Sequence, residues 1–503
     1  MTNDIESRLY SPKEMAVIQD LPVELLSGIF AHLYAMNRKL DPWEVCLVRF
    51  KDDEFDKELN TLETKLWSDE DLRNPALFPC ATARVSRLWL DVMARNALYW
   101  TRVAFDLSAT EPPLLDAFLW SKDLPFDVLV FDSRPSCAGN PERSEAPALE
   151  LARVSEIAGK LTPHLERCQS LVFDVSFASS LPLLPTLLQH SGKNMKELKL
   201  EYRTRTPTSI GYDMWLPSAT VSPSTQFEML KHLSLDVETF IRMARRHPRF
   251  WEDLSPNGYF TLELSKYDFK DSNEIVISQT YCTGEFFRRI SEVTPIYTLV
   301  LSDLSVQKAS KRTPRIVAGR TLDLDISSFY ARNLSQRFLK AFFRECSMHV
   351  ESATFEGCVF PKNTSDVSHC YLTLKSLPRN ARMERMLNVF GGLELYVEAC
   401  PCFDDSIIDY LADTDGEGFA CPSSMIHTIS LADCDSFTFA SMMRLVEVRR
   451  AYHILAMQRQ EFGIGASLLE DLSVHGQSPH LTVDQLQWFK SHIPHVNLPR
   501  PVP

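Results

Sequence analysis

The 503-residue chain is poor in glycine, with 16 in all. Loops that cradle phosphate need glycines at fixed offsets between a strand and a helix, so this scarcity argues against a nucleotide-binding fold. Gly463 and Gly465 form too short a motif to supply such a loop. HExxH, GxSxG, the P-loop and the protein-kinase set are all missing, which leaves no familiar catalytic constellation. No CxxC pair occurs among the 12 cysteines, and Cys400-Pro401-Cys402 has no second pair nearby to complete a tetrahedral zinc site. Neither a metal nor a cofactor is expected. Positive charge is in deficit: 53 Lys and Arg stand against 66 Asp and Glu, net −13. That is the wrong sign for a dedicated nucleic-acid binder, which needs a dominant basic face. No run reaches the ~18 apolar residues of a membrane span. Met1 to Gln19 carry Asp4, Glu6 and Glu14 where a secretory leader would be basic and then apolar. The expected setting is cytoplasmic or nuclear, with no membrane and no nucleic acid as partner.

What the chain does have is core material. Apolar residues make up 45% and charged residues 24%, the balance of a globular protein. Its length exceeds what one compact core holds, so several units or one long solenoid is expected. The cysteines sit in apolar runs such as Val45-Cys46-Leu47 and Gly357-Cys358-Val359 and read as small buried hydrophobes.

Near the amino terminus, Asp20-Leu21-Pro22-Val23-Glu24 reads as a helix start, with Asp20 as cap, Pro22 in the first turn and Glu24 at the positive end of the dipole. Leu21, Leu25, Leu26, Ile29, Phe30 and Leu33 follow at helical spacing. A second amphipathic stretch places Val85, Leu88, Trp89 and Val92 at i, i+3, i+4 and i+7, ahead of Leu98-Tyr99-Trp100. So many large side chains on two short helices exceed what a small unit can enclose, and part of the stripe is expected to meet a partner. The charged run from Lys51 to Glu58, with Leu59, Leu62 and Leu66, reads as a solvated helix with a thin apolar face.

Beyond Trp100, short strand-like runs alternate with helix-like segments. The runs include Thr101–Leu107, Phe126–Phe131, Ser170–Val175, Thr321–Ile326 and Leu393–Val397, and many share a Leu-x-Leu core, as in Leu198-Lys199-Leu200 and Leu262-Glu263-Leu264. The expected fold class is α+β overall: a small all-α unit followed by an α/β solenoid of strand-and-helix turns. A doubly wound parallel sheet would also alternate strand and helix, but the strands are too numerous and lack phosphate loops. Ser133 to Ala148, with four interspersed Pro and Gly residues, reads as an exposed loop.

The remaining polar clusters carry little chemistry. Asp413-Thr-Asp415-Gly-Glu417 lacks the ligand set of a calcium loop and reads as a solvated acidic loop. Arg242, Arg245, Arg246 and Arg249, and Lys308 to Arg320, read as charge spread over exposed turns, although arginine forks also suit phosphate.

The segments "DLPVELLSGIFAHL" and "ATARVSRLWLDVMARNALYWTRVAFDL" resemble the F-box of the large fungal F-box families: the Leu-Pro-x-Glu-Leu opening, the Val-Ser-x-x-Trp centre and the closing Leu-Tyr-Trp occur in that order. Ala399-Cys400 and Asp433-Cys434, each just after a strand, are similar to degenerate leucine-rich repeats. The resemblance implies residues 1–19 as an arm, 20–100 as an F-box with a charged insertion at about 34–73, and 101–503 as a leucine-rich-repeat-like solenoid. It further implies a Skp-type adaptor and, through it, a cullin as partners, a protein client on the repeat surface, and no enzymatic activity in the chain itself. Matching positions for adaptor binding are Leu21, Pro22, Leu25, Ile29, Phe30, Val85 and Trp89. The alternative is an interaction scaffold acting without ubiquitination.

Overall fold

In the computed structural model of the chain, the described residues are 21–38, 78–133, 146–182, 187, 192–204, 227–246, 250–251, 260–270, 282–293, 296–307, 321–362, 367–368, 370–412, 425–459 and 467–501. The chain divides into two compact units, Met1–Met229 and Leu230–Pro503. Helix and strand are mixed throughout, and the strands are joined in parallel.

The first unit opens with helices α1 (Val23–Arg38), α2 (Cys80–Ala83) and α3 (Arg87–Ala94) and a 3-10 turn at Ala97–Trp100. It continues through β1 (Arg102–Asp106), α4 (Ala117–Trp120), β2 (Phe126–Phe131), α5 (Ala146–Leu161), β3 (Cys168–Phe177) and β4 (Glu197–Thr204). The four strands pair in parallel in chain order. Strand β2 is apolar on both faces: Val128 and Val130 enter the core, while Leu129 and Phe131 cluster with Val172 and Ala104 on the other side. A continuous apolar run is what a parallel strand covered on two sides requires. Trp100, the expected domain limit, lies inside this unit and is fully buried. Its ring packs 4.4 Å from that of Trp120, and its Nε1 donates to the Met93 carbonyl at 3.0 Å. Trp100 therefore joins α3 to α4, the helix that follows β1. Of the expected loop at 133–148, residues 134–145 lie outside the described residues, and α5 already begins at Ala146.

The second unit runs β5 (His232–Asp236), α6 (Val237–Arg246), β6 (Thr261–Lys270), α7 (Thr283–Ser291), β7 (Thr298–Gln307), β8 (Leu322–Leu324), β9 (Ser328–Arg332), α8 (Gln336–Glu345), β10 (Cys346–His349), β11 (Ser352–Glu356), β12 (Val367–Ser368) and β13 (Tyr371–Lys375). It ends with α9 (Met383–Leu387), β14 (Glu394–Glu398), α10 (Asp405–Ala412), β15 (Thr428–Ala432), α11 (Phe439–Arg459), β16 (Asp471–His475), α12 (Val483–His492) and β17 (His495–Asn497). Its main sheet follows the order β5-β6-β7-β9-β11-β13-β14-β15-β16-β17, all parallel, and β8, β10 and β12 form a small separate sheet. The order runs in one direction, without the reversal that opens a ligand crevice in a doubly wound sheet.

Strands β9, β11, β13, β14, β15 and β16 bury their second and fourth side chains and leave the others partly or fully exposed, as the pleat dictates. In register, Ala353, Leu372, Leu395, Ile429 and Leu472 make one buried row, and Phe355, Leu374, Val397, Leu431 and Val474 make the next. Against them pack phenylalanines from the helices. Phe342 of α8 stacks on Phe329 at 5.1 Å, and Phe287 of α7 meets Phe338 and Phe342 edge-on.

Strand exits share one backbone device. Asp303, Asn333, Gly357, Ser376, Ala399, Asp433 and Gly476 all have positive φ, each immediately after the fifth paired position of its strand. The amides of Asn333, Gly357, Ser376, Ala399 and Asp433 donate to the last carbonyl of the next strand in the sheet, those of Glu356, Lys375, Glu398, Ala432 and His475, at 2.8–3.0 Å. After six of these exits the following residue turns inward, Leu304, Leu334, Cys358, Leu377, Cys400 and Cys434 being buried, whereas Gln477 after Gly476 is exposed. The cysteines use the space well. Cys358, Cys400 and Cys434 each direct Sγ at the carbonyl two residues back, at 3.2–3.4 Å.

Left-handed backbone strains a residue with a Cβ and suits glycine. Ala399 is exposed at φ +49°, so Ala399→Gly is expected to stabilise the second unit by about 1 kcal/mol. At Gly357 an added Cβ would lie 2.3 Å from Asn333 Oδ1, so Gly357→Ala is expected to destabilise by at least ~1–2 kcal/mol. Thermal unfolding midpoints of the two variants should move in opposite directions. A drop for Ala399→Gly would refute this reading of the turns.

Candidate functional site

The helical start of the first unit is the part of the chain that carries the sequence-predicted contact residues. Helix α1 begins at Val23, with Pro22 just before it and the Pro22 carbonyl accepting from the Leu25 and Leu26 amides at 3.0 and 3.1 Å. Proline suits that place, since it needs no donor there. Asp20, the expected cap, lies outside the described residues, as do the arm at 1–19 and insertion residues 39–73. Helix α3 is capped by Ser86, whose Oγ accepts from the Trp89 amide at 3.2 Å, and Asn96 starts the 3-10 turn by accepting from the Leu98 amide.

Both helices have an inner face. Leu26, Phe30, Tyr34 and Ala35 of α1 are buried, as are Trp89, Val92 and Met93 of α3. Phe30, 0% exposed, meets Trp89, 8% exposed, edge to face at 5.1 Å. Tyr34, Phe78 and Tyr99 close a second aromatic group with centroids 5.2–6.0 Å apart. Of the residues expected to meet a partner, Phe30 and Trp89 thus hold the two helices to each other and offer no contact surface. Their position on the inward side of the stripe is the physical reason.

The other five stand outward to differing degrees. Leu21 is half-buried and Pro22 exposed. Leu25 is 57% exposed, Ile29 40% and Val85 54%. Leu25, Ile29 and Met36 share one side of α1, spaced by four and then seven residues, and Met36 is exposed as well. Leu88 adds a further exposed apolar side chain at the start of α3. Met36 extends the ridge beyond the residues first singled out; its spacing from Ile29 was the available signal. The ridge is apolar and carries no nucleophile, and it is suited to shape-matched contact with another hydrophobic surface.

Elsewhere the polar clusters serve the fold. Arg242 pairs with Glu238 and Arg245 with Glu285, while Arg249 and residues 308–320 lie outside the described residues, as does the acidic loop at 413–417. Asp404 accepts from the Ser406 and Ile407 amides at the start of α10, and Asp405 accepts from the Thr438 amide at 2.6 Å. Among the described residues no group of three His, Cys, Asp or Glu side chains is arranged to hold a metal ion, and no helix is long and apolar enough to cross a membrane. Comparison with known protein families and with curated proteins finds no match to this chain.

The division between inner and outer faces has an energetic consequence. Phe30→Ala removes a fully buried ring and is expected to cost ~3–5 kcal/mol of stability. Leu25→Asp, on the exposed side, is expected to change stability by no more than ~0.5 kcal/mol. Denaturant midpoints measured side by side check this. Similar losses for both variants would mean that the ridge is part of the core.

Proposed function

We propose that the chain is the substrate-recognition adaptor of a cullin-based ubiquitin ligase, in which an F-box at residues 20–100 binds a Skp-type adaptor and a leucine-rich-repeat-like solenoid holds a protein client. Ubiquitin transfer then falls to other subunits, and the chain itself catalyses nothing. The observation that carries this reading is the set of exposed apolar side chains Pro22, Leu25 and Ile29, with Val85 and Leu88, on or just before two helices whose inner faces are already satisfied by Phe30 and Trp89. Large aliphatic side chains gain nothing from standing in water, so their outward placement fits a partner surface. The order of the two sequence segments that resemble an F-box agrees with it.

The repeat reading draws on the second unit. One-way parallel strand order and a recurrent left-handed residue at the strand exits, in most cases with a buried residue after it, suit a solenoid, in which each strand-and-helix turn packs only on its neighbours. Such a sheet leaves its outer strand positions open to a client.

Co-expression with a Skp-type adaptor is expected to yield a stable complex and to raise the yield of soluble chain. The double variant Leu25→Asp, Ile29→Asp should fold but lose the complex by at least a hundredfold in affinity, since two buried aliphatic contacts of ~1.5–3 kcal/mol each would be replaced by charge. Undiminished association of that variant would overturn the proposal. Blocking the cullin should then make the client accumulate; unchanged client turnover would favour a scaffold that acts without degradation.

A further inference from the structure

We propose that the exposed strand face of the second unit around Tyr371 and Tyr396 binds an extended segment of the client that carries lysine and arginine. This rests on the client-binding reading above and names the chemistry of the client.

The outward positions of β9 to β17 are mostly short and polar: Ser328, Ser352, Thr354, Thr373, Thr428, Ser430 and Ser473. Three tyrosines interrupt this row: the Tyr330 hydroxyl of β9 donates to Glu356 and its ring lies 5.5 Å from the Arg332 guanidinium, while Tyr371 and Tyr396 stand farther along the sheet. Tyr371 is 42% exposed and Tyr396 37%, on adjacent paired strands. In register, Tyr371 pairs with Ser352 and Glu394, and Tyr396 with Thr373 and Ser430.

Charge on the same face is sorted. Arg332 Nε lies 3.1 Å from Glu356, and Lys375 Nζ 2.8 Å from Glu398, so both cations at the far ends of their strands already have carboxylate partners. Glu394 and Asp471 remain at the near ends. Glu394 pairs in register with Tyr371 on one side and Thr428 on the other, and Thr428 pairs with Asp471. Glu351 and Glu470, both exposed, occupy the entries to β11 and β16. The other titratable groups at this end include Cys370, His427 and His495. No lysine or arginine stands at the outward positions beside Glu394 or Asp471 among the described residues.

The Tyr396 hydroxyl donates to the Glu394 carboxylate, which fixes the ring beside the acid. That hydrogen bond, followed by burial and by the charges of Glu394, Tyr371 and Asp471, pushes the Tyr396 phenol up to about 12. The phenol therefore stays neutral over the physiological range and keeps donating.

An aromatic face beside an uncompensated carboxylate selects cations: the ring quadrupole and the carboxylate attract the same group. Glu394 and Asp471 stand two strands apart, about 10 Å by ordinary strand spacing. That is too far for one metal ion, whose oxygens lie within about 2.6 Å of it. It suits two basic side chains a few residues apart on an extended chain. A phosphorylated segment meets the wrong sign here.

The test uses the full chain and three short labelled peptides of equal length, alternating glycine with lysine, glutamate or serine, read by fluorescence anisotropy at physiological salt. The lysine peptide should bind, and the other two should bind at least tenfold more weakly. The pair Glu394→Gln, Asp471→Asn and the pair Tyr371→Ser, Tyr396→Ser should each weaken lysine-peptide binding tenfold or more. The pair Glu447→Gln, Asp484→Asn removes the same charge from exposed helix positions and should leave it unchanged. Equal binding of the serine peptide, or equal loss in the helix pair, would overturn the proposal. Loss of Skp-type association in Leu25→Asp, Ile29→Asp is scored separately, so a failed peptide assay beside an intact adaptor complex rejects this inference alone.

Discussion

The second unit depends on how the chain leaves each strand. A parallel strand that ends in a turn leaves its last backbone groups in need of partners, and an unmade buried hydrogen bond is costly. Here a residue with positive φ points its amide at the final carbonyl of the next strand, and the contact recurs from Asn333 to Asp433. The segments between these exits differ widely in length, from the short link between Gly357 and Ser376 to the long one that contains α11. The exits nonetheless hold one register, so Leu372, Leu395, Ile429 and Leu472 stack whatever lies between them. The same turn drives the next side chain inward, which is why small or aliphatic residues, cysteine included, fill that place.

The first unit solves a different problem. Helix α1 carries apolar residues over more than half its circumference, and a helix packed on one neighbour can bury only one stripe. Phe30 and Tyr34 go to the inner stripe, where aromatic edges and faces meet those of Trp89, Phe78 and Tyr99. Leu25 and Ile29 go to the outer one. The aromatic contact fixes the angle between α1 and α3, and that angle sets how the outer aliphatic groups are presented.

Much of this was legible in the residues. Most strands were found from two apolar residues at alternate positions, because that pair is the whole inward face of a five-residue strand. Strand β9 shows only a weak form of that signal. Ser328-Phe-Tyr-Ala-Arg332 offers only Phe329 and Ala331 to the core, while the neighbouring Leu322-Asp323-Leu324 has the stronger pattern and forms the short β8 of the small sheet. Helix α5 was hidden behind the Pro- and Gly-containing stretch that precedes it. Periodicity identified the stripes of α1 and α3 but not the sides: Phe30 and Trp89 share the spacing of Leu25 and Val85, and only tertiary contact decides which of them turn inward. The limit at Trp100 follows from the resemblance of the next stretch to the entry of a repeat array, and the Trp100 indole itself links α3 to α4 through Met93 and Trp120.

The strand face of the second unit separates the residues that fold the chain from those left free to recognise something. From β9 to β16 in the main sheet, the second and fourth positions of each strand are committed to the core, and the left-handed exit is committed to the backbone. The first and third positions carry no such duty, and most hold serine or threonine, which suit a pleated surface and make small demands on solvent. Tyr371, Glu394, Tyr396 and Asp471 depart from that default at adjoining places, exposing ring surface to water and gathering carboxylates without lysine or arginine beside them. Folding accounts for the pattern around them and is indifferent to their identity. Their chemistry is therefore best accounted for by what the face meets, and a ring beside an acid is complementary to a cation on an extended chain.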